Sequence, residues 1–361
     1  MDQVKIGFIG TGLIATTHMI FIRQIMETLP EGKRISLGKV FDLDRDKAGT
    51  FAEIHGFSAA VEEVEELLED PDINTVYICT PTAFHKEYFL RAAAAGKHIF
   101  MEKPLAFYPE DIREMEAARE KAGIQVQVGL VLRYEPVFWF LQELMQKEKE
   151  RLGSLLSFIF RTDQEWPITG SAHDSAWRSD RSLAYRGCLF EHSIHDLDLL
   201  LSFFGDYKGV AARIGYRSRL ARESGIEDLA TVLLSFENGV SGNLTSIFHR
   251  IKGRDVRRLE LIFEGGAVVL DGYDLVLPER FRSFTVEFSE EEKMEFSLGE
   301  IEEQYRWRHP QLPENTWLFP YLLQSLAFFR SLLEGRAPRP GLAEGRKVHD
   351  LLEAIYQSAQ E

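Results

Sequence analysis

The sequence predicts an α/β protein: a doubly wound parallel sheet over residues 1–129, then, over residues 130–361, an α+β domain on a large, mostly antiparallel sheet. Three observations predict it. Short apolar runs alternate with helical patterns in the first third, the mark of strand–helix–strand units. From Lys208 onward apolar strand-like runs succeed one another, with Asn238-Gly239 and Gly265-Gly266 between them as turn signals. The 361 residues also exceed the size at which one core keeps growing, so two domains are expected.

In the first domain Val4–Ile9 has the continuous apolar character of a buried parallel strand, and Gly10-Thr11-Gly12-Leu13-Ile14-Ala15 follows at once, opening a helix to about Thr28. Gly10 permits the tight turn. Gly12 lets the backbone, with Leu13 and Ile14 at the helix start, approach a pyrophosphate, and Ala15 replaces a third glycine where helix and strand pack closely. This is a Rossmann fingerprint, and it makes a dinucleotide the expected cofactor. The strand Ile35–Phe41 ends in Asp42, whose carboxylate suits a ribose diol and repels a 2′-phosphate, which favours NAD. Arg45, just beyond, leaves NADP possible.

Helices are expected over Arg45–His55 and Val61–Glu69, and a buried strand over Thr75–Cys79. Thr80 and Pro81 break that strand at the sheet's carboxyl edge and would border the cofactor, with His85 a turn inside the next helix. An alanine-rich helix then stops at Gly96, the apolar run Ile99–Met101 follows, and Glu102-Lys103-Pro104 ends it. Lys103 is thereby expected at the carboxyl edge, where open α/β sheets place their ligands. A helix from Pro109 to Ala122 and a strand from Ile124 to Val128 complete the domain near Gly129.

Arg133-Tyr134-Glu135-Pro136 opens the second domain, before a helix rich in aromatic residues. A strand over Ser154–Arg161 leads into an irregular segment, Thr162–Gly187, that mixes Asp163, Glu165, Trp166, His173, Asp174, Trp177 and Arg178. Aromatic faces and charged ends in one loop suit a substrate wall. Glu191 and His195, four apart at the start of a helical pattern, would share a face. They can also be read as a pair compensating a helix dipole or, with His192 and Asp196, as metal ligands. No His-Glu-x-x-His motif accompanies them, so no metal is expected. Strands are expected over Val210–Gly215, Leu229–Phe236, Val240–Phe248, Leu259–Phe263 and Ala267–Leu270, and helices over Trp317–Leu333 and Leu342–Ser358. One sheet face would take the helices and the other a second copy of the chain, giving a homo-oligomer.

A formal net charge of −15, with no Lys/Arg-dense segment, argues against nucleic acid or an anionic membrane face as partner. There is no apolar stretch near 18 residues, and the N-terminus runs directly into a strand pattern, so a cytoplasmic protein with no membrane partner is expected. The two cysteines, Cys79 and Cys188, are expected to be reduced.

Four motifs then fall in one order and spacing: Gly10-Thr-Gly12-Leu-Ile-Ala15, Thr80-Pro81-x-x-x-His85, Gly96-Lys-His-x-x-x-Glu102-Lys103-Pro104 and Glu191-His-Ser-Ile-His195-Asp196. Together they resemble the Gfo/Idh/MocA (glucose-fructose oxidoreductase / inositol dehydrogenase) family over nearly the whole chain. The resemblance implies a nicotinamide-dependent oxidoreductase acting on a sugar, polyol or related hydroxyl compound, with Trp177-Arg178 near the active site. Most such proteins have aspartate where Glu191 stands, one methylene shorter. Lys103 is the expected acid/base and His195 its partner on the reacting oxygen. Free lysine, with a pKa of about 10.4, needs desolvation or a nearby positive charge to serve near neutrality. Glu191, Trp177, Arg178 and Arg133 are the substrate-binding candidates. Gly10, Gly12, Leu13, Ile14, Asp42, Arg45, Thr80, Pro81, His85, Glu102 and Lys103 are the cofactor-binding candidates. Two alternatives stay open: a catalytically silent nucleotide-binding sensor, and an enzyme that cleaves glycosides through transient oxidation by retained NAD.

Overall fold

The computed structural model describes residues 1–171, 175–252, 254–272, 281–289, 292–306, 308, 312 and 318–359. They form two compact units. One joins Met1–Val131 to Tyr321–Lys347; the other holds most of the remainder, including residues 132–308 and 348–359.

Six strands build the first unit's sheet: β1 (Val4–Ile9), β2 (Ile35–Phe41), β3 (Ala59–Val61), β4 (Thr75–Ile78), β5 (His98–Met101) and β6 (Val126–Val128). Every pairing is parallel, in the order β3-β2-β1-β4-β5-β6. This doubly wound order gathers the strands' carboxyl ends on one edge. The intervening helices are α1 (Leu13–Thr28), α2 (Arg45–His55), α3 (Val64–Leu68), α4 (His85–Ala94) and α5 (Pro109–Ala122). Glycines at left-handed φ end three of them: Gly56 (72°), Gly96 (71°) and Gly123 (66°).

An aromatic ladder runs across the middle of this sheet. Phe8, Tyr77 and Phe100 stand in register on adjacent strands and stack at centroid distances of 4.9 and 4.6 Å. Phe328, on the helix Pro320–Glu334, meets Tyr77 and Phe100 edge-on at 5.9 and 5.6 Å. A contiguous division at residue 129 assigns that helix to the second domain. The chain instead returns residues 321–347 to the first unit, where the helix covers apolar sheet surface.

One short element was not expected. Ala59–Val61 pairs with β2, so the helix expected from Val61 begins at Val64, where Glu63 and Glu66 form a reciprocal capping box.

The second unit's sheet comprises, among the described residues, β7 (Leu155–Glu165), β8 (Tyr207–Gly215), β9 (Leu229–Phe236), β10 (Ser241–His249), β11 (Val256–Phe263), β12 (Gly266–Asp271), β13 (Ser283–Phe288) and β14 (Lys293–Phe296). Its order is β14-β13-β12-β11-β7-β10-β9-β8, antiparallel throughout except for β7 with β10. Gly239 turns β9 into β10 at φ 91°, as Asn238-Gly239 predicts. β7 runs four residues past the expected end, because β10 and β11 pair it on both sides as far as Asp163 and β10 continues to Glu165. Asp163 and Glu165 therefore belong to a strand rather than to the irregular loop. β13 and β14 are not among the expected strands, although Phe284, Val286 and Phe288 alternate inward on β13. The final helices span Pro320–Glu334 and Leu342–Ser358. The expected helix start, Trp317, lies outside the described residues.

Two stability measurements follow from this packing. Phe100→Ala should lower the unfolding free energy by about 3–5 kcal/mol in urea denaturation, since it removes a fully buried ring from the ladder. Glu302 is buried on the helix Leu298–Arg306, and burial raises its pKa to about 7, against the opposing effects of the Leu318 amide and Arg306. A raised acid pKa means that the folded state binds a proton the unfolded state has lost. Stability is thus full below the unfolded value of 4.5 and falls as pH rises through about 7. Glu302→Gln should abolish that fall, so its Tm advantage over the wild type should grow from pH 5 to pH 8.

Candidate active site

The glycine turn at the carboxyl edge of the first unit's sheet is built on backbone. Gly10 has φ 89°, donates its N–H to Phe41 O (2.8 Å), and lies so close to β4's end that a Cβ would stand 2.8 Å from the carbonyl carbon of Cys79. Thr11 gives both its N–H (2.7 Å) and its hydroxyl (2.8 Å) to Asp42 Oδ2, while the Asp44 amide donates to Asp42 Oδ1 (2.9 Å). The carboxylate at the end of β2 therefore fixes the glycine turn at the end of β1. At Gly12, the N-cap of α1, a Cβ would meet nothing within 4 Å. α1 carries no side-chain cap and no acidic residue in its first turn, so its amides suit an anion. Thr80 Oγ1 is buried and has no protein partner among the described residues. Open backbone at Gly12, uncapped amides and a hydroxyl held in reserve fit a dinucleotide, with Leu13 and Ile14 in the helix's first turn. Arg45 is exposed and pairs with Glu62 at 2.9 Å, so Asp42 remains the group suited to a ribose.

Lys103 stands two residues past the end of β5, at the carboxyl edge of the same sheet. The carboxylate before it, Glu102, accepts from Lys103 N (3.1 Å) and contacts His18 Nε2 on α1 (2.8 Å). Burial pushes the Glu102 pKa up, but the bond and charge of His18, together with Lys103, bring it below the usual value. Glu102 thus braces the lysine turn against α1. His85, expected among the cofactor contacts, is fully enclosed. Its Nδ1 lies 2.6 Å from Pro104 O and its Nε2 2.9 Å from Thr80 O. With both nitrogens facing backbone carbonyls, His85 clamps the turn after β4 to the turn carrying Lys103, and its ring has no nitrogen left for a cofactor. Burial lowers its pKa despite those two carbonyls.

In the second unit, Arg178 stacks its guanidinium over Trp177 (4.6 Å to the ring centroid) and donates Nε–H to Glu191 Oε2 (3.2 Å) and an Nη1 proton to Ser175 Oγ (2.8 Å). Three of the four substrate-binding candidates are therefore one cluster. The fourth, Arg133, makes a bidentate pair with Asp198 at 2.7 Å for both bonds, a carboxylate not among the expected site residues. Glu191 and His195 do not stand on one continuous α-helix. Cys188–His192 forms a π-turn closed by Ser193 N to Cys188 O (3.0 Å), and the α-helix Ile194–Phe204 starts after it. The expected shared face assumed 3.6 residues per turn throughout; the wider turn removes that premise. Both side chains are buried, as is Asp196, which accepts from Thr162 Oγ1 (3.0 Å). His173 and Asp174 lie outside the described residues. Among the described residues, no three His, Cys, Asp or Glu side chains gather as metal ligands would.

His18 was the main residue missed at this site. Its signal was a polar ring on the buried side of α1, among Ala15, Met19, Ile22 and Ile25. Asp198 offered a similar one, a charge within the apolar run of its helix.

A parallel sheet in this order, an open glycine turn and a carboxylate at the second strand's end define a dinucleotide-binding unit of the Rossmann class. The chain belongs to the Gfo/Idh/MocA family: the family's N-terminal domain, described as an oxidoreductase family with an NAD-binding Rossmann fold, matches residues 4–130, and its C-terminal domain matches residues 141–269. Levoglucosan dehydrogenase from Pseudarthrobacter phenanthrenivorans is 24% identical over 99% of this chain and 97% of its own length. Myo-inositol 2-dehydrogenase from Thermotoga maritima is 26% identical over 74% of this chain and 75% of its own. Among solved structures, an oxidoreductase domain protein from Kribbella flavida superposes with a TM-score of 0.84 at 23% identity, covering 100% of this chain and 98% of that one. Levoglucosan dehydrogenase in complex with NADH gives 0.82, also at 23%, covering 99% and 97%. No helix among the described residues is long and apolar enough to cross a membrane.

Asp42→Ala should weaken NAD binding about 10- to 100-fold by isothermal titration, the loss of charge-assisted bonds to a ribose diol, and should narrow the preference for NAD over NADP.

Proposed function

We propose that this protein is an NAD-dependent dehydrogenase that interconverts a secondary hydroxyl and a ketone on a sugar, an anhydrosugar or an inositol-like polyol. The observation that carries the reading is Lys103: an amine at the carboxyl edge of the sheet whose neighbouring strands hold the open glycine turn. Two side chains buried in the same unit, Glu102 and His85, fix the turn on which it stands. The names of the relatives, a levoglucosan dehydrogenase and a myo-inositol 2-dehydrogenase, support a polyhydroxylated ring as the substrate class.

Bound NAD supplies the hydride acceptor. In the oxidative direction the amine of Lys103 takes the hydroxyl proton as the carbon gives up its hydride, and in reduction it returns that proton. His195, buried in the second unit, is proposed as a hydrogen-bonding group toward the substrate. Arg178 and Glu191, already paired, present a charged edge beside the Trp177 face, a combination that orients ring hydroxyls and stacks on C–H surface.

Lys103→Met should lower kcat for NADH formation by about 10²–10⁴ while leaving NAD affinity within twofold. Assay of the wild type with levoglucosan, myo-inositol, scyllo-inositol and 1,5-anhydrosugars provides the reference. Full turnover by the variant removes Lys103 from the chemistry, and no turnover of any of these compounds by the wild type removes the substrate class.

We further propose that a second copy of the chain covers the outer face of the eight-strand sheet. Glu260, Ile159, Asn243, Leu233 and Ala211 form one cross-strand row on that face, and Ile159 and Leu233 are exposed in it. Light scattering should give a multiple of the chain mass for the wild type and a lower multiple for Ile159→Asp/Leu233→Asp.

A further inference from the structure

The chain reaches Glu191 through an unusual piece of backbone. Tyr185 has φ 70° and ψ −55°, and it is the one non-glycine residue at positive φ among those described. Arg186 N donates to Ala184 O at 2.8 Å across it, so Tyr185 is the centre of a γ-turn of the rarer, strained form. The π-turn Cys188–His192 begins two residues after Arg186. Two irregular turns in succession, immediately before a candidate site, need an external support to hold one geometry.

That support comes from two other elements. Glu227 is fully buried; its Oε2 accepts the Gly187 N–H at 2.7 Å and its Oε1 accepts the Tyr356 hydroxyl at 2.6 Å. The Glu227 carbonyl accepts Cys188 N (3.1 Å), and a Cβ on Gly187 would collide with it. Asp228 anchors the same segment by accepting the amides of Arg217 and Ser218, both at 2.7 Å. Tyr356, on the C-terminal helix Leu342–Ser358, also offers its ring to Arg186, whose guanidinium lies 3.6 Å from the centroid, with the Tyr185 ring at 4.7 Å. Burial raises the Glu227 pKa against the opposing bonds of Tyr356 and Gly187. A purely apolar filler would pack such a place without that desolvation cost, but it could not direct two hydrogen bonds at once.

We propose that Glu227, held by Tyr356, is a positioning residue for the oxidoreductase site: its carboxylate fixes Gly187 and so sets the π-turn that presents Glu191 and passes the chain to the His195 helix. The inference rests on the function proposed above for Glu191 and His195. Glu227 acts through the turn and touches no substrate.

The test compares Glu227→Ala, Glu227→Gln and Tyr356→Phe in the full-length protein. It measures kcat and KM on whichever polyol or anhydrosugar the wild type oxidises, NAD affinity, and hydrogen exchange of the amides of residues 187–195. Glu227→Ala should lower kcat at least tenfold with NAD affinity within twofold and should speed exchange over 187–195. Tyr356→Phe should do the same more weakly, and it carries the test should the alanine variant fail to fold. Glu227→Gln should recover most of kcat, because a carboxamide oxygen still accepts the Gly187 N–H and its NH₂ can donate to the Tyr356 oxygen. Unchanged exchange and kcat in both Glu227→Ala and Tyr356→Phe would overturn the proposal, as would a glutamine variant no better than the alanine one. A wild type inactive on every compound refutes the proposed function instead, and the exchange measurements still decide whether Glu227 holds the turn.

Discussion

The narrow passage at Gly10 is the constraint on which the nucleotide end depends. Backbone there runs against the Cys79–Thr80 peptide, so the ends of β1 and β4 approach as closely as two chains without an intervening side chain can. The Gly10 amide bonds to the end of β2, and Thr11 beside it is held by Asp42 from the same strand. One missing Cβ therefore aligns three strand ends, and α1 leaves them with its amides uncapped. Glu102 reaches back to His18 on that helix, which ties the lysine turn to the same frame. Position along the sheet edge is thus inherited from packing, and the groups that would perform chemistry add little to it.

Much of this first unit was legible in the sequence because each signal was local. A continuous apolar run, a glycine where φ must be positive and a carboxylate at a strand end can each be recognised within a few residues, and the predicted strands and helices agree with the structure closely. What escaped was set by distant partners. Ala59–Val61 becomes a strand because β2 offers it an edge, while its own three residues carry almost no periodic signal. His85 looked like a cofactor neighbour from its place near Thr80 and Pro81. Only the carbonyls of Thr80 and Pro104, one of them nineteen residues away, turn it into a clamp.

The second unit was harder for the same reason, more strongly expressed. β7 could be seen to begin near Ser154, but its end is decided by β10 and β11, which come eighty to a hundred residues later. The Glu191–His195 spacing suggested a shared helical face, and the π-turn that intervenes has no residue signature of its own. It is sustained by Glu227 and by hydrogen bonds closed across Gly187 and Cys188. The pairing of Arg178 with Glu191, and of Arg133 with Asp198, likewise joins charges that the sequence displays separately. Residue types were readable, then, while their pairings were not.

The return of residues 321–347 to the first unit has a consequence for how the protein is made. Phe328, which closes over Tyr77 and Phe100, is synthesised more than two hundred residues after them. A ribosome emits the whole parallel sheet, then the entire second sheet, before it releases the helix that seals the first. Throughout that interval the aromatic ladder has one side without its native cover, the kind of surface that chaperones bind and that neighbouring nascent chains can stick to. Completion of the N-terminal unit is therefore a late event, coupled to the arrival of the chain's far end.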